Sequence, residues 1–248
     1  MPFKKLIWLM LGMAKESSQN ALERFFPKTK EAVHMSRQAF SLARQKMKCE
    51  AFRELFQAGV RGSCNEKLKD WRGCLLMAVD SSHIALPRDA ALKAYYGACG
   101  KALTAATARA PLLYDIENDI IADAKIEPLT VDERSLAKND LEALAELGQS
   151  FGKRKVIVVF DRGHPSKDFI KYLQDKEITY VMRGQKGFNA RIDGLKQGSK
   201  RIRLDEGITV GALAFALASG EREAVITNLD KGEMEDGCLR NCITSGGR

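Results

Sequence analysis

The stretch Val156-Ile157-Val158-Val159-Phe160-Asp161-Arg162-Gly163-His164-Pro165-Ser166 decides the fold. Five consecutive apolar residues, three of them valine and one isoleucine, read as a strand buried on both faces. The run then stops at an aspartate and a turn. A second run of the same kind, Leu75-Leu76-Met77-Ala78-Val79, stops at Asp80. A buried strand gains nothing from a terminal carboxylate unless that group caps a loop, pairs with a cation or holds a metal. In α/β sheets the strand ends are where working residues gather.

Working outward, a helix is expected from about Ser166 to Lys176 and a strand over Ile178 to Met182. Upstream, Thr130 and Glu133 read as a capping box for a helix carrying Leu136, Leu141, Leu144 and Leu147, stopped by Gly148. Leu112 to Lys125 reads as one or two strands, and Ile84 to Leu86, closed by Pro87, as a further one. Beyond residue 183 the texture changes. Arg201-Ile202-Arg203-Leu204, Ile208-Thr209-Val210 and Ala224-Val225-Ile226-Thr227 read as strands separated by glycine turns. The expected class is α/β, in four segments: helical 1–72, an α/β core over 73–182, a mostly β insertion over 183–236, and a tail over 237–248 without periodicity.

The charge is unevenly placed. The 248 residues carry a net +8, and residues 1–72 hold 15 Lys and Arg against 7 Asp and Glu, whereas the rest of the chain holds 25 of each. A basic module joined to a neutral body suits a polyanion such as DNA. Within it, Glu31 to Phe56 has no Gly or Pro and repeats its apolar residues at helical spacing, with Gly59, Gly62 and Ser63 read as the loop that follows. Arg37, Arg44, Lys46 and Lys48 lie on the polar side, so Arg37, Arg44 and Lys48 are candidate DNA contacts in a helix-turn-helix-like array. Leu6 to Met13 is too short for a membrane span and reads as a first helix, which together with the absence of a cleavage site points to a cytoplasmic protein without a membrane partner. The six cysteines form no CxxC pair, so neither zinc nor disulfide redox chemistry is signalled.

Ala78-Val79-Asp80-Ser81-Ser82 resembles the first catalytic block of DDE transposases of the bacterial insertion-sequence type. Val158 to Ser166, with its Asp-Arg-Gly, resembles the second. Met182-Arg183 resembles the arginine that closes the following strand, and Tyr114-Asp115-Ile116 falls where the family has a strand beside the first. The resemblance, over about residues 72–236, implies an RNase H-like core with a β insertion. It implies cleavage and transfer of double-stranded DNA at transposon ends, by a chain that acts as a homo-oligomer. It also implies two Mg²⁺ ions, with Asp80 bridging both and Asp161 holding one. Hard divalent ions favour such carboxylate oxygens. Arg162 and Arg183 become candidate phosphate contacts, and His164 a structural or DNA-facing residue.

The pattern fails in one place. The family's third carboxylate is a glutamate on a late helix, set in a Tyr, two residues, Arg, three residues, Glu, six residues, Lys spacing. Glu221, Glu223, Glu233 and Glu235 lack the Tyr and Arg before them. The tail suggests a frameshift near Gly237. Read one base earlier, the codons for Asn241 to Gly247 can encode leucine, tyrosine, tyrosine, lysine, arginine and tryptophan, the run that resemblance places just before the glutamate. The nucleotide sequence across codon 248 tests this. A chain without that glutamate is expected to be impaired. The alternative reading is a non-enzymatic DNA-binding remnant or regulator derived from a mobile element.

Overall fold

A computed structural model describes residues 2–13, 16–29, 35–64, 68–100, 105–148, 154–230 and 232–233. The chain divides into two compact units, Met1–Gly59 and Val60–Arg248.

The first unit is helical: α1 (Phe3–Leu11), α2 (Ser18–Phe25), a 3₁₀ turn at Phe26–Thr29 that contains Pro27, α3 (Arg37–Gln45), and α4 (Glu50–Cys64), which continues into the second unit. Ser17 and Ser36 cap α2 and α3 by accepting from the backbone N–H of Asn20 and Ala39. Leu6, Leu9, Ala21, Leu22, Phe26 and Phe40 form its core. Two expectations change here. The run Glu31 to Phe56 holds two helices, broken after Gln45, and its residues 31–34 lie outside the described ones. Gly59, Gly62 and Ser63 are not a loop but part of α4. Val60 and Cys64, four residues apart and both buried, anchor its last turns. That packing outweighs the roughly 1 kcal/mol by which each glycine disfavours a helix.

The second unit is built on one eight-stranded sheet: β1 (Cys74–Ala85), β2 (Thr107–Asp115), β3 (Ile120–Ala124), β4 (Lys155–Phe160), β5 (Thr179–Arg183), β6 (Gly198–Asp205), β7 (Ile208–Ala216) and β8 (Arg222–Thr227), in the order β3-β2-β1-β4-β5-β8-β7-β6. The first five strands form an RNase H-like core. β1, β2 and β3 are antiparallel neighbours, and β1, β4 and β5 run parallel. The β-rich insertion does not form a sheet of its own: β8 pairs antiparallel with β5, so β6–β8 extend the core sheet.

The described residues of this unit also form the helices α5 (Ala90–Tyr96), α6 (Glu133–Leu147), α7 (Lys167–Asp175) and α8 (Ala190–Asp193). Strand alternation divides the apolar residues between two faces. Phe160 meets Phe169 of α7 edge-to-face, with ring centroids 5.3 Å apart. Leu76, Ile157, Val181, Leu213, Phe215, Val225 and Leu229 form one cluster on the opposite face. Burying each large apolar side chain contributes roughly 1.5–3 kcal/mol.

Two local expectations are corrected. Ile84 belongs to β1 rather than to a separate strand, because Asp80 to Ala85 keep pairing with β2 after β4 has ended. The cap of α6 is Asp132, which accepts from the N–H groups of Arg134 and Ser135, so the Thr130–Glu133 capping box does not form. Asp132 sits next to the first helical residue, where a carboxylate reaches those orphan donors directly. Among the described residues no helix is long and apolar enough to cross a membrane, and Cys49, Cys64, Cys74 and Cys99 are free thiols. The tail 237–248 lies outside the described residues.

Candidate active site

Register brings the two sequence-singled aspartates together. Val79 of β1 pairs with Phe160 of β4 in parallel, so Asp80 and Asp161 are the next residues along these neighbouring strands. Asp80 continues within β1 opposite Leu112 of β2, while Asp161 leaves β4 into the turn. Both side chains face solvent. Asp80 Oδ1 accepts from the N–H of Ser81 at 2.7 Å.

Asp161 is held more firmly. Its Oδ1 accepts from the N–H of Gly163 at 2.9 Å and lies 2.8 Å from Nδ1 of His164, which is buried against Phe160 and Phe169. The bond from His164 holds the Asp161 carboxyl below its ordinary value. Partial burial opposes this, while the Gly163 N–H and the charges of His164 and Arg183 support it.

Gly163 explains the third letter of Asp-Arg-Gly. A Cβ there would meet Glu133 Oε2 at 2.7 Å and Asp161 Oδ1 at 3.2 Å. The glycine therefore leaves room for a second carboxylate, from the first turn of α6, over the same peptide. Glu133 also faces Arg109 at 3.5 Å, and Arg134 Nε donates to the carbonyl of His164 at 3.2 Å, tying α6 to the Asp161 loop.

The arginines expected to face phosphate have a partner that sequence reading set aside. Glu223 of β8 is fully buried, and its Oε2 accepts from Arg162 Nη2 at 2.7 Å and from Arg183 Nη2 at 2.6 Å. Burial pushes its carboxyl up, but the hydrogen bonds and charges of the two arginines outweigh that, and it stays below the ordinary range. Glu223 Oε2 is thus committed to the two arginines, and its Oε1 is buried away from solvent. The only sequence signal for it was a charged residue inside an apolar strand, Glu223-Ala224-Val225-Ile226.

In the helical unit, Arg37 and Arg44 are exposed on α3, two turns apart, and border a cleft of about 280 Å³ with Ser18, Gln38, Phe40 and Ser41. The Arg44 guanidinium lies 5.9 Å from the Phe40 ring centre. Lys48 is exposed between α3 and α4.

Asp80, inside β1 where its pairing with β4 stops, and Asp161, just past the end of β4, are exposed oxygen donors, a donor set that fits one hard divalent cation. Among the described residues no group of three or more His, Cys, Asp and Glu side chains gathers at metal-binding range.

The family model for the transposase DDE domain matches residues 72–226. No curated protein sequence matches the chain. Among solved structures, the piggyBac transposase synaptic complex with hairpin DNA is similar at TM-score 0.49 and 10% identity, over 98% of this chain and 56% of that one. The Argonaute of Marinitoga piezophila, in complex with a 5′-hydroxyl guide RNA, follows at TM-score 0.32 and 17% identity, over 71% of this chain and 26% of that one. The chain therefore spans about half the length of the piggyBac chain and a quarter of the Argonaute.

Proposed function

The chain belongs to the transposase DDE domain family, and from that premise we propose that it is a DNA transposase chain of the bacterial insertion-sequence type, able to bind DNA and a divalent cation but impaired in strand transfer. The observation that carries this is the register of β1 and β4, which sets Asp80 beside Asp161 inside the matched segment.

Asp80 and Asp161 would hold the cation, with Mg²⁺ as the expected ion. The ion would supply Lewis-acid polarisation of a phosphodiester. The chain's own residues do the rest. His164 and the Gly163 N–H fix one oxygen of Asp161. Arg162 and Arg183 offer donors to backbone phosphates of double-stranded DNA at the element's ends. Pairing of two copies across two DNA ends belongs to the same reading. The impairment is supported by the pairing of Glu223 with two arginines; Glu133, the carboxylate beside the Asp161 turn, faces Arg109.

The test uses the full chain. Mn²⁺ should bind, read by its paramagnetic signal, and Asp80→Asn and Asp161→Asn should each weaken it by at least about tenfold, the cost of losing a charged ligand. Absence of Mn²⁺ binding by the parent chain would remove the metal site, and efficient joining of end-bearing duplexes would refute the impairment.

A second reading, a DNA-binding remnant without catalysis, is favoured by one observation: the entire +8 excess lies in residues 1–72. Gel-shift titration over a range of salt separates the two readings. A remnant keeps steep salt dependence when Asp80 and Asp161 are both replaced and shows no metal response.

A further inference from the structure

We infer that Glu223 is a positioning residue, gathering Arg162 and Arg183 into one cationic fork that takes a phosphodiester group beside Asp161. The ligand rests on the nucleic-acid function proposed above; the fork itself rests on geometry.

Arg162 directly follows Asp161, and Arg183 ends β5. Two guanidiniums at neighbouring strand ends repel each other, and left alone their flexible side chains would diverge into solvent. Both instead donate to the same oxygen of one carboxylate that has no exposure of its own. A carboxylate so buried is tolerated only when paired, so Glu223 and the arginines fix one another.

The backbone enforces the meeting. Arg183 pairs with Val225 across β5 and β8, and the Gly184 N–H donates to the Ala224 carbonyl at 2.7 Å. A side chain at Gly184 would meet Ala224 Cβ at 3.1 Å and its carbonyl oxygen at 3.2 Å, so a larger residue there would push β8 away by a few tenths of an ångström. That register sets residue 223 against the end of β5.

The charge count then points to the ligand. Two guanidiniums and one carboxylate leave a net single positive charge, the complement of a phosphodiester. Donors remain for it. Arg162 and Arg183 side chains are 49% and 32% exposed, and each spends only one Nη on Glu223 in the bonds described. Arg183 Nε is a further N–H donor without a hydrogen-bond partner, though it is buried. Arg162 and Glu223 line a cleft of about 490 Å³, whose other charged residues are Lys186, Arg222, Asp193 and Glu221. The charge of Arg183 also reaches Asp161, helping to hold its carboxyl down. A phosphate on the fork would therefore lie next to the proposed cation ligand. Arg222, on the same cleft, is instead taken up by the carbonyls of Leu195 and Ile192.

The competing role is purely structural: an ion triad that fastens the insertion to the core. Titration of inorganic phosphate into the nitrogen-15-labelled full chain distinguishes them. The Nε–H signals of Arg162 and Arg183 should move together and saturate. In Glu223→Gln the phosphate affinity should fall about tenfold, the scale of charge-assisted hydrogen bonds. Duplex DNA should follow, with a salt slope smaller by about one to two. Adding Glu223→Gln to Arg162→Ala and Arg183→Ala should bring no further loss.

A lower melting temperature in Glu223→Gln with unchanged phosphate and DNA affinities overturns the proposal, as does a parent chain whose two arginines ignore phosphate. A phosphate response without DNA binding removes the proposed function and leaves the fork standing. Should Glu223→Gln fail to fold, Glu223→Asp is read in the same way, because its shorter reach satisfies one guanidinium rather than both.

Discussion

Asp161 at the mouth of β4 and Asp140 on α6 are carboxylates of one domain under opposite conditions. Asp161 is more than half exposed, yet it takes a backbone N–H and an imidazole nitrogen on one oxygen and keeps its charge readily. Asp140 has no exposure and no hydrogen-bond partner on either oxygen; its nearest cation is Lys125, 3.8 Å away and also paired with Asp123. Burial pushes its carboxyl up to about 7. The opposing pull of Lys125 does not cancel this, and the charges of Asp123 and Glu127 add to it. The difference teaches that burial without hydrogen bonds outweighs a cation in the vicinity, whereas exposure and two short hydrogen bonds keep a carboxylate ionised. The fold places those bonds at the strand ends.

The largest effect should come from removing the badly served partner. In the unfolded chain Asp140 would titrate near about 3.9. Between there and about 7 the folded chain holds an extra proton. Raising the pH through that window therefore removes stability, and the full penalty is present above 7. By linkage the ceiling is on the order of 4 kcal/mol. Asp140→Asn cannot ionise and should lose this slope. Urea midpoints at pH 5 and pH 8 should show the variant gaining on the parent as pH rises. Parallel pH profiles for the two would break the comparison.

The same contrast marks how far the sequence could be read. The apolar runs before Asp80 and Asp161 were legible because strand burial follows residue type over five consecutive positions. Once two such strands lie parallel in register, their terminal carboxylates adjoin. The strands of the insertion were legible from alternation and glycine turns instead: the buried Ile202 and Leu204 alternate with the exposed Arg201 and Arg203. The partners were not. Glu223 reaches Arg183 from 40 positions away through the register of β8 on β5. Glu133 reaches the Asp161 turn because α6 packs across the sheet and Gly163 leaves room. Neither event leaves a local pattern. Asp140 was equally hidden, as one polar residue in a helix whose leucines fixed the expected face. Gly59 and Gly62 misled because packing by Val60 and Cys64 overrode propensity.

A smaller effect tests the well-served carboxylate. His164→Phe keeps a ring against Phe160 and Phe169 but removes the bond to Asp161. With Asp161 less fixed, Mn²⁺ affinity should fall by about 10- to 100-fold, as for other groups that orient a metal ligand. The acid limb should move as well. The depressed carboxyl of Asp161 contributes stability above its unfolded value, and this is lost as pH falls through the lower folded value. Without His164 that loss should begin at a higher pH, while solvent screening keeps the stability change small. Unchanged Mn²⁺ affinity in His164→Phe would show that the imidazole is packing and no more.

The smallest effect asks whether the loop depends on the helix that follows it. Ser166 Oγ accepts from the Phe169 N–H at 3.1 Å and starts α7, two residues after His164. Losing such a cap costs about 1 kcal/mol. Ser166→Ala should therefore lower the urea midpoint modestly at every pH, since no titrating group is touched. Phe169 is buried against Phe160 and His164, so packing should keep the first turn of α7 in place and Mn²⁺ affinity should stay within about twofold of the parent, well inside the range expected for His164→Phe. A drop as large as that of His164→Phe would mean that the cap, rather than the imidazole, sets the position of Asp161. The line between the two carboxylates would then run through backbone order instead of through a single hydrogen bond.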